Sequence, residues 1–219
     1  KWFNDKKTAI ITGDPEYKLP YSNENDQDTL VINSKQITFF NEYNSAIFSG
    51  DVELKLGELL AISDSLNHMP DSALTVLSGT PTIWRETDRL SGDSILLYFE
   101  EKELNRIVVE GEGVIRSEAM LGKDVYNNLS GDKLIISIIN DSTRFVRAQG
   151  NARGEYHIWD ESEVYQGENI STANMIDILL EGNKAQNINL LGSTSGTFYP
   201  PRFVPKSQVG SGTEGNTTE

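Results

Sequence analysis

The sequence predicts an all-β chain, an elongated stack of antiparallel β units, and three observations carry that prediction. A cadence of polar turn, apolar run, Gly and second apolar run recurs; its clearest copies are residues 90–99 (LSGDSILLYF) and 129–138 (LSGDKLIISI). Inside the copies, apolar residues alternate with period two, as in Ile95, Leu97 and Phe99 or Leu134, Ile136 and Ile138, which sets one face inward and the other outward. Helical periodicity is nowhere sustained. Units of this size cannot bury their apolar faces singly, so they stack.

In chain order, residues 9–12 (AIIT) end at Gly13, the first of a series continuing with Gly50, Gly79, Gly111, Gly150 and Gly192. From Gly50 the successive spacings are 29, 32, 39 and 42 residues, a drift that excludes a rigid short-period solenoid and points to turns of variable length. Residues 21–28 are expected to be a long exposed loop. Leu30 and Ile32, then Ile37 and Phe39, begin the alternating strands. Residues 57–69 (GELLAISDSLNHM) could be helical by composition, but their alignment to the repeat makes them a strand pair. Asp71-Ser72, Asn127-Asn128, Gly131-Asp132, Asp141-Ser142 and Glu181-Gly182-Asn183 supply turn formers. Leu96, Ile135 and Ile139 place apolar residues on the second face too, so some strands are expected to be covered on both sides. Residues 1–203 are expected to form the β-repeat domain. Residues 204–219, rich in Ser, Gly, Thr and Glu, are expected to form a flexible polar tail or linker.

Composition narrows the function classes. A net charge of −14 argues against tracking nucleic-acid phosphates or adhering to an anionic membrane. No apolar run approaches the roughly 20 residues of a membrane helix, so the body is expected to be soluble. The chain starts at Lys1 with no leader pattern, so a signal peptide is expected to be absent or already removed. Without cysteine there is no thiol catalysis, thiolate metal site or disulfide.

Candidate sites are few. His68 and His157 stand alone, with no second imidazole nearby in sequence, and His157, in the alternating segment 155–159 (EYHIW), is expected to face solvent. Carboxylates such as Asp93, Asp132, Asp141 and Glu181 fall at turns, where solvated acids are expected rather than a glycosidase pair. Trp84, Tyr98, Phe99, Trp159 and Phe198 could form a sugar platform, but their spread over separate repeats favours packing. No catalytic residue, metal site or cofactor is expected. The apolar interior remains, either as a filled core or, if the walls splay, as a groove.

Residues 77–84 (LSGTPTIW), 88–95 (DRLSGDSI) and 108–113 (VVEGEG) occur in that order and together resemble the OstA-like family of lipopolysaccharide-transport proteins. Residues 192–201 (GSTSGTFYPP) resemble the close of such domains in Bacteroidetes-type bacteria. The resemblance implies an open β jelly roll, LptA-type, located in the periplasm. Its groove would take the acyl chains of lipopolysaccharide or lipid A, and its terminal edge strands would pair with other bridge proteins or with copies of itself. The groove-lining positions expected on this reading are Ile37, Phe39, Val52, Leu54, Ile95, Leu97, Phe99, Leu134, Ile136, Ile138, Ile176 and Ile178. A one-residue register shift would swap the whole set to the other face. The competing readings are a structural or adhesive repeat with a closed core and a polysaccharide-active β solenoid.

Overall fold

The computed structural model describes residues 2–3, 8–23, 26–120, 124–140, 143–160, 162–182 and 184–201. The expected tail at 204–219 and the Asp141-Ser142 turn lie outside them. Seventeen strands follow in order: β1 (Trp2–Phe3), β2 (Thr8–Thr12), β3 (Glu16–Asn23), β4 (Asp26–Asn33), β5 (Gln36–Phe40), β6 (Ser45–Leu56), β7 (Leu59–Met69), β8 (Leu74–Ser78), β9 (Thr82–Arg85), β10 (Asp88–Ser91), β11 (Ser94–Glu100), β12 (Glu103–Glu118), β13 (Tyr126–Ile138), β14 (Thr143–Trp159), β15 (Tyr165–Glu181), β16 (Lys184–Leu191) and β17 (Ser195–Tyr199). All pairings are antiparallel with neighbours close in sequence. The chain is an all-β jelly roll.

The pairings resolve into two facing walls. The first runs β2, β5, the start of β6, the end of β7, β8, β11, the start of β12, the end of β13, the start of β14, the end of β15 and β16. The second runs β3, β4, the end of β6, the start of β7, β9, β10, the end of β12, the start of β13, the end of β14, the start of β15 and β17. Six long strands, β6, β7, β12, β13, β14 and β15, thus belong to both walls, and ladder register breaks where they cross, between Ser49 and Val52, Glu110 and Gly113, Ser130 and Lys133, and Gln149 and Ala152.

The breaks align into one seam, and the Gly series of the sequence is that seam. Gly111 and Gly150 show why the residue matters. Both hold left-handed φ values, +74° and +70°. A Cβ on Gly111 would fall inside the Asp93 carboxylate, and one on Gly150 inside that of Asp132. Those aspartates belong to the Ser-Gly-Asp phrases of the preceding corner; the first bends between β10 and β11, whereas Gly131-Asp132, expected as a turn, lies inside β13 at its register break. Asp93 N–H donates to the carbonyls of Glu110 and Gly111, both at 3.0 Å, and Asn151 Nδ2 donates to Asp132 at 3.1–3.2 Å. The same exchange recurs with Asp64 over Gly79 and Asn174 over Gly192. Each interval between these glycines from Gly50 on is therefore a run out and back on the second wall followed by a run out and back on the first. The spacing drifts because strands lengthen along the stack, from 12 residues in β6 to 17 in β14 and β15.

Three expectations need correcting. Residues 21–28 are not a long loop: β3 and β4 pair as far as Asn23 and Asp26, because the register of Tyr17 on Ile32 continues outward. Asn127 and Asn128 make no turn but lie inside β13, where Asn127 Oδ1 accepts the His157 N–H at 2.8 Å. Leu96 and Ile135 sit on the outer face of the first wall in a row with Val76 and Val108, covered by one another rather than by a second layer among the described residues, and Ile139 is exposed. Residues 57–69 become a turn followed by β7, with no helix.

The interior is a single apolar cluster filled from both walls. On the first wall, cross-strand partners form an unbroken row: Ile11, Ile37, Phe48, Leu66, Leu77, Ile95, Val109, Leu134, Ala148, Ile176 and Leu190. Such pairs are the unit of sheet stabilisation. Gly111→Ala should lower stability by about 2 kcal/mol through left-handed strain and the displaced carboxylate. Urea unfolding of Gly111→Ala and of Asp93→Ala, Gly111→Ala measures it; part of the loss should return in the double variant, and full additivity would contradict the seam contact.

Candidate functional site: a groove with one apolar wall

The interior is filled at one end of the stack and open at the other, and the inner row of the second wall explains the difference. That row reads Tyr17, Ile32, Leu54, Ala61, Ile83, Leu90, Ile115, Leu129, then Gly154, Ser171 and Gly196. Large side chains give way to residues with almost none over the last three strands. Of the first eight, Ile32, Leu54, Ala61 and Ile83 are wholly buried. Over the last three, the walls cannot meet.

The resulting groove has about 850 Å³ of atom-free space, its open mouth included. Its two sides differ chemically. The first wall presents Val146, Ile176, Ile178, Leu180, Ile188 and Leu190. The second presents Ser117, Asn127, Tyr156, Asn169 and Ser171 around Ile115 and Leu129. Ser171 Oγ donates to Asn169 Oδ1 at 3.3 Å. At the inner end Arg144, on the first wall, donates from Nη1 to Asp88 Oδ2 on the second at 3.0 Å. Such a cleft can hold a hydrocarbon chain against one side while polar groups or water satisfy the other.

The twelve positions expected to line a groove all carry inward parity, but only some of them reach it. Ile176 and Ile178 line the groove. Ile136 lines a smaller inner cavity with Ile83, Leu90 and Ile107. Ile37, Val52, Leu54, Ile95, Leu97, Phe99 and Leu134 are buried in the closed interior, with Phe39 packed against it. Ile138 is half-buried near the strand end. From the sequence, Leu180, Ile188, Leu190 and the polar side are not expected as groove lining, and Asn127 reads as a turn former. A cross-strand reading of Gly154 beside Ser171 would have been the signal.

The histidines lie away from the groove. His157 does not face solvent: it is 7% exposed because Tyr165 and Glu168 of β15 close over it. Its Nδ1 lies 3.0 Å from Tyr165 Oη, and its Nε2 lies 3.9 Å from Glu168. His68 sits on the inner face of the first wall beside Thr75, 2.9 Å from Nδ1 to Oγ1, and its Nε2 is buried without a partner. Burial lowers its pKa to about 4, so it is neutral at pH 7. Four of the five aromatic residues serve packing: Arg89 stacks on Trp84 and Arg106 on Tyr98, Phe99 is in the core, and Trp159 lies against Tyr165; Phe198 is exposed on β17. No cluster of three or more His, Asp or Glu poised for a metal occurs among the described residues.

No family model matches this chain, and no curated protein matches it. Among solved structures it is similar to LptH from Pseudomonas aeruginosa, described as the LptA-homologous periplasmic component of the conserved lipopolysaccharide transport device. That match has a TM-score of 0.51 and 13% identity, and it covers 65% of this chain and 95% of LptH. The two share a fold.

Because the folded pKa of His68 lies below its unfolded value near 6.5, its contribution is complete above pH 6.5 and is lost as pH falls toward 4. The loss is about 3 kcal/mol at most. Urea unfolding at pH 7, 5.5 and 4 should show a smaller decline for His68→Leu than for the native chain; parallel declines would contradict a buried neutral imidazole.

Proposed function

We propose that this chain is a non-enzymatic carrier that holds the acyl chains of a lipopolysaccharide-type lipid in its groove and hands the lipid along the periplasm toward the outer membrane. The observation that carries the reading is the groove itself: a solvent-open cleft whose first wall is apolar over three successive strands. Moving an acyl chain through water costs about 0.8 kcal/mol per methylene, so a carrier must offer a sheltered apolar face. The fold shared with LptH, a periplasmic transport component, supports the assignment, as does the resemblance carried by the Ser-Gly-Asp and Gly-x-Gly phrases. No bond-breaking step and no cofactor is required.

The ends of the stack fit the same role. β16 and β17 close it with few buried side chains, and Ile188, Leu191 and Phe198 are exposed there. Unpaired edge strands are templates for strand addition, so a neighbouring bridge protein or a second copy would continue both walls. The charge of −14 keeps anionic head groups outside the groove, in water or bridged by cations.

The filled half of the interior favours a closed-core structural protein for that half; the open half distinguishes a carrier. A photo-crosslinking residue at Ile178 or Leu180 should capture lipopolysaccharide, while one at Thr172, on the outer face of the same strand, should not. Equal capture at all three, or none at the inner two, would overturn the proposal.

A further inference from the structure

Among the described residues, one ion pair joins the two walls. The others lie within a strand, between paired neighbours or at the seam. Asp88 begins the β10 segment of the second wall, and Arg144 stands at the start of β14 on the first, three strands further along the stack. The two close the gap diagonally at 3.0 Å with only 13% and 11% of their side-chain surface exposed. Arg144 Nη2 also donates to the Gly182 carbonyl at 3.2 Å, tying the pair to the β15–β16 turn.

Stability is a poor reason for such a pair. Burying two charges costs several kcal/mol of desolvation, and well-packed apolar side chains in their place are often neutral or stabilising. Position is a better reason. The pair lines both the groove and the smaller inner cavity, and the two voids also share Ile115, Ser117, Val146 and Leu180. Beyond it the lining becomes Ile83, Leu90, Ile107 and Ile136, with Arg85, the cross-strand neighbour of Asp88, at the rim. A charged bolt therefore stands where the groove meets a recess floored by aliphatic side chains. Hydrocarbon could pass only by parting the ions, and a chain end that reaches them gains nothing further.

We propose that Asp88 and Arg144 form a gate that sets how far a bound hydrocarbon chain penetrates, and so which chain lengths the groove holds in full. The second wall of the groove spans β10 to β15, about 19 Å at ordinary strand spacing, and the gate stands at its inner end. Movement of lipid from the groove toward the filled half of the stack requires the pair to open. This inference rests on the acyl-chain reading of the groove.

The test is an affinity series with saturated fatty acids of about 10 to 18 carbons, in which each sheltered methylene adds about fourfold. For the native chain the gain should stop at an intermediate length. In Asp88→Leu, Arg144→Leu it should continue for at least two more carbons, about tenfold or more in affinity for the longest acids. The charge-conserving pair Asp88→Glu, Arg144→Lys should keep the plateau. Should the leucine pair not fold, Asp88→Val with Arg144→Met is read in the same way. A plateau at the same length in native and apolar variants would overturn the gate while leaving the acyl-chain reading intact. Absence of binding to every protein in the series would overturn that reading, and the gate with it.

Discussion

The seam is the constraint on which the rest of the structure depends. Each chain segment that leaves one wall for the other must turn along a single line, and successive corners stack there at strand spacing. Two bulky corners cannot stack, so a glycine with left-handed backbone lies under the carboxylate or amide of the corner before it, as Gly111 lies under Asp93 and Gly192 under Asn174. With the corner fixed, register on both sides is fixed, since a slip of one residue would exchange the faces of both walls. The inward rows of Ile, Leu, Val and Phe follow from it.

Given that register, the choice of residue on the second wall decides whether the walls touch. Leu54, Ile83 and Leu90 fill the space opposite the first wall, whereas Gly154, Ser171 and Gly196 leave it open. The first wall keeps its apolar row throughout, ending in Ile176 and Leu190. One continuous fold thus contains a packed core and a groove, and the buried Asp88–Arg144 pair stands where one becomes the other. The question of filled core or open trough has a local answer at each end of the stack.

Most of the fold was legible because its signals are short-range. The glycine series, the Ser-Gly-Asp phrases and the period-two strands each occupy a few residues, and alternation groups Ile95 with Leu97 and Leu134 with Ile136 on one face, although which face turns inward is set by the cross-strand register. The drift in spacing was legible too, but as variable turns; strand length causes it. The groove was not legible, because it arises from residues that meet only across strands: Gly154 and Ser171 are harmless separately. Asp88 and Arg144 are 56 positions apart and carry no motif. His157 looked solvent-facing because alternation says nothing about the size of its neighbours on β15. The Ser-Gly-Asp phrase, one of the segments that carry the family resemblance, reports seam architecture rather than a ligand contact.

The central claim is that the gap left by Gly154 and Ser171 holds lipid. A Cβ at Gly154 would meet only Ile176 and Leu129 at ordinary contact distances, 3.7 and 3.9 Å, so larger side chains can be placed there to fill the groove. Native mass spectrometry of the protein from a lipopolysaccharide-producing host, beside a Gly154→Leu, Ser171→Leu variant, is the most direct measurement. The account predicts lipid adducts on the native chain that are lost from the folded variant. A native chain free of lipid, or equal adducts on both proteins, would contradict it.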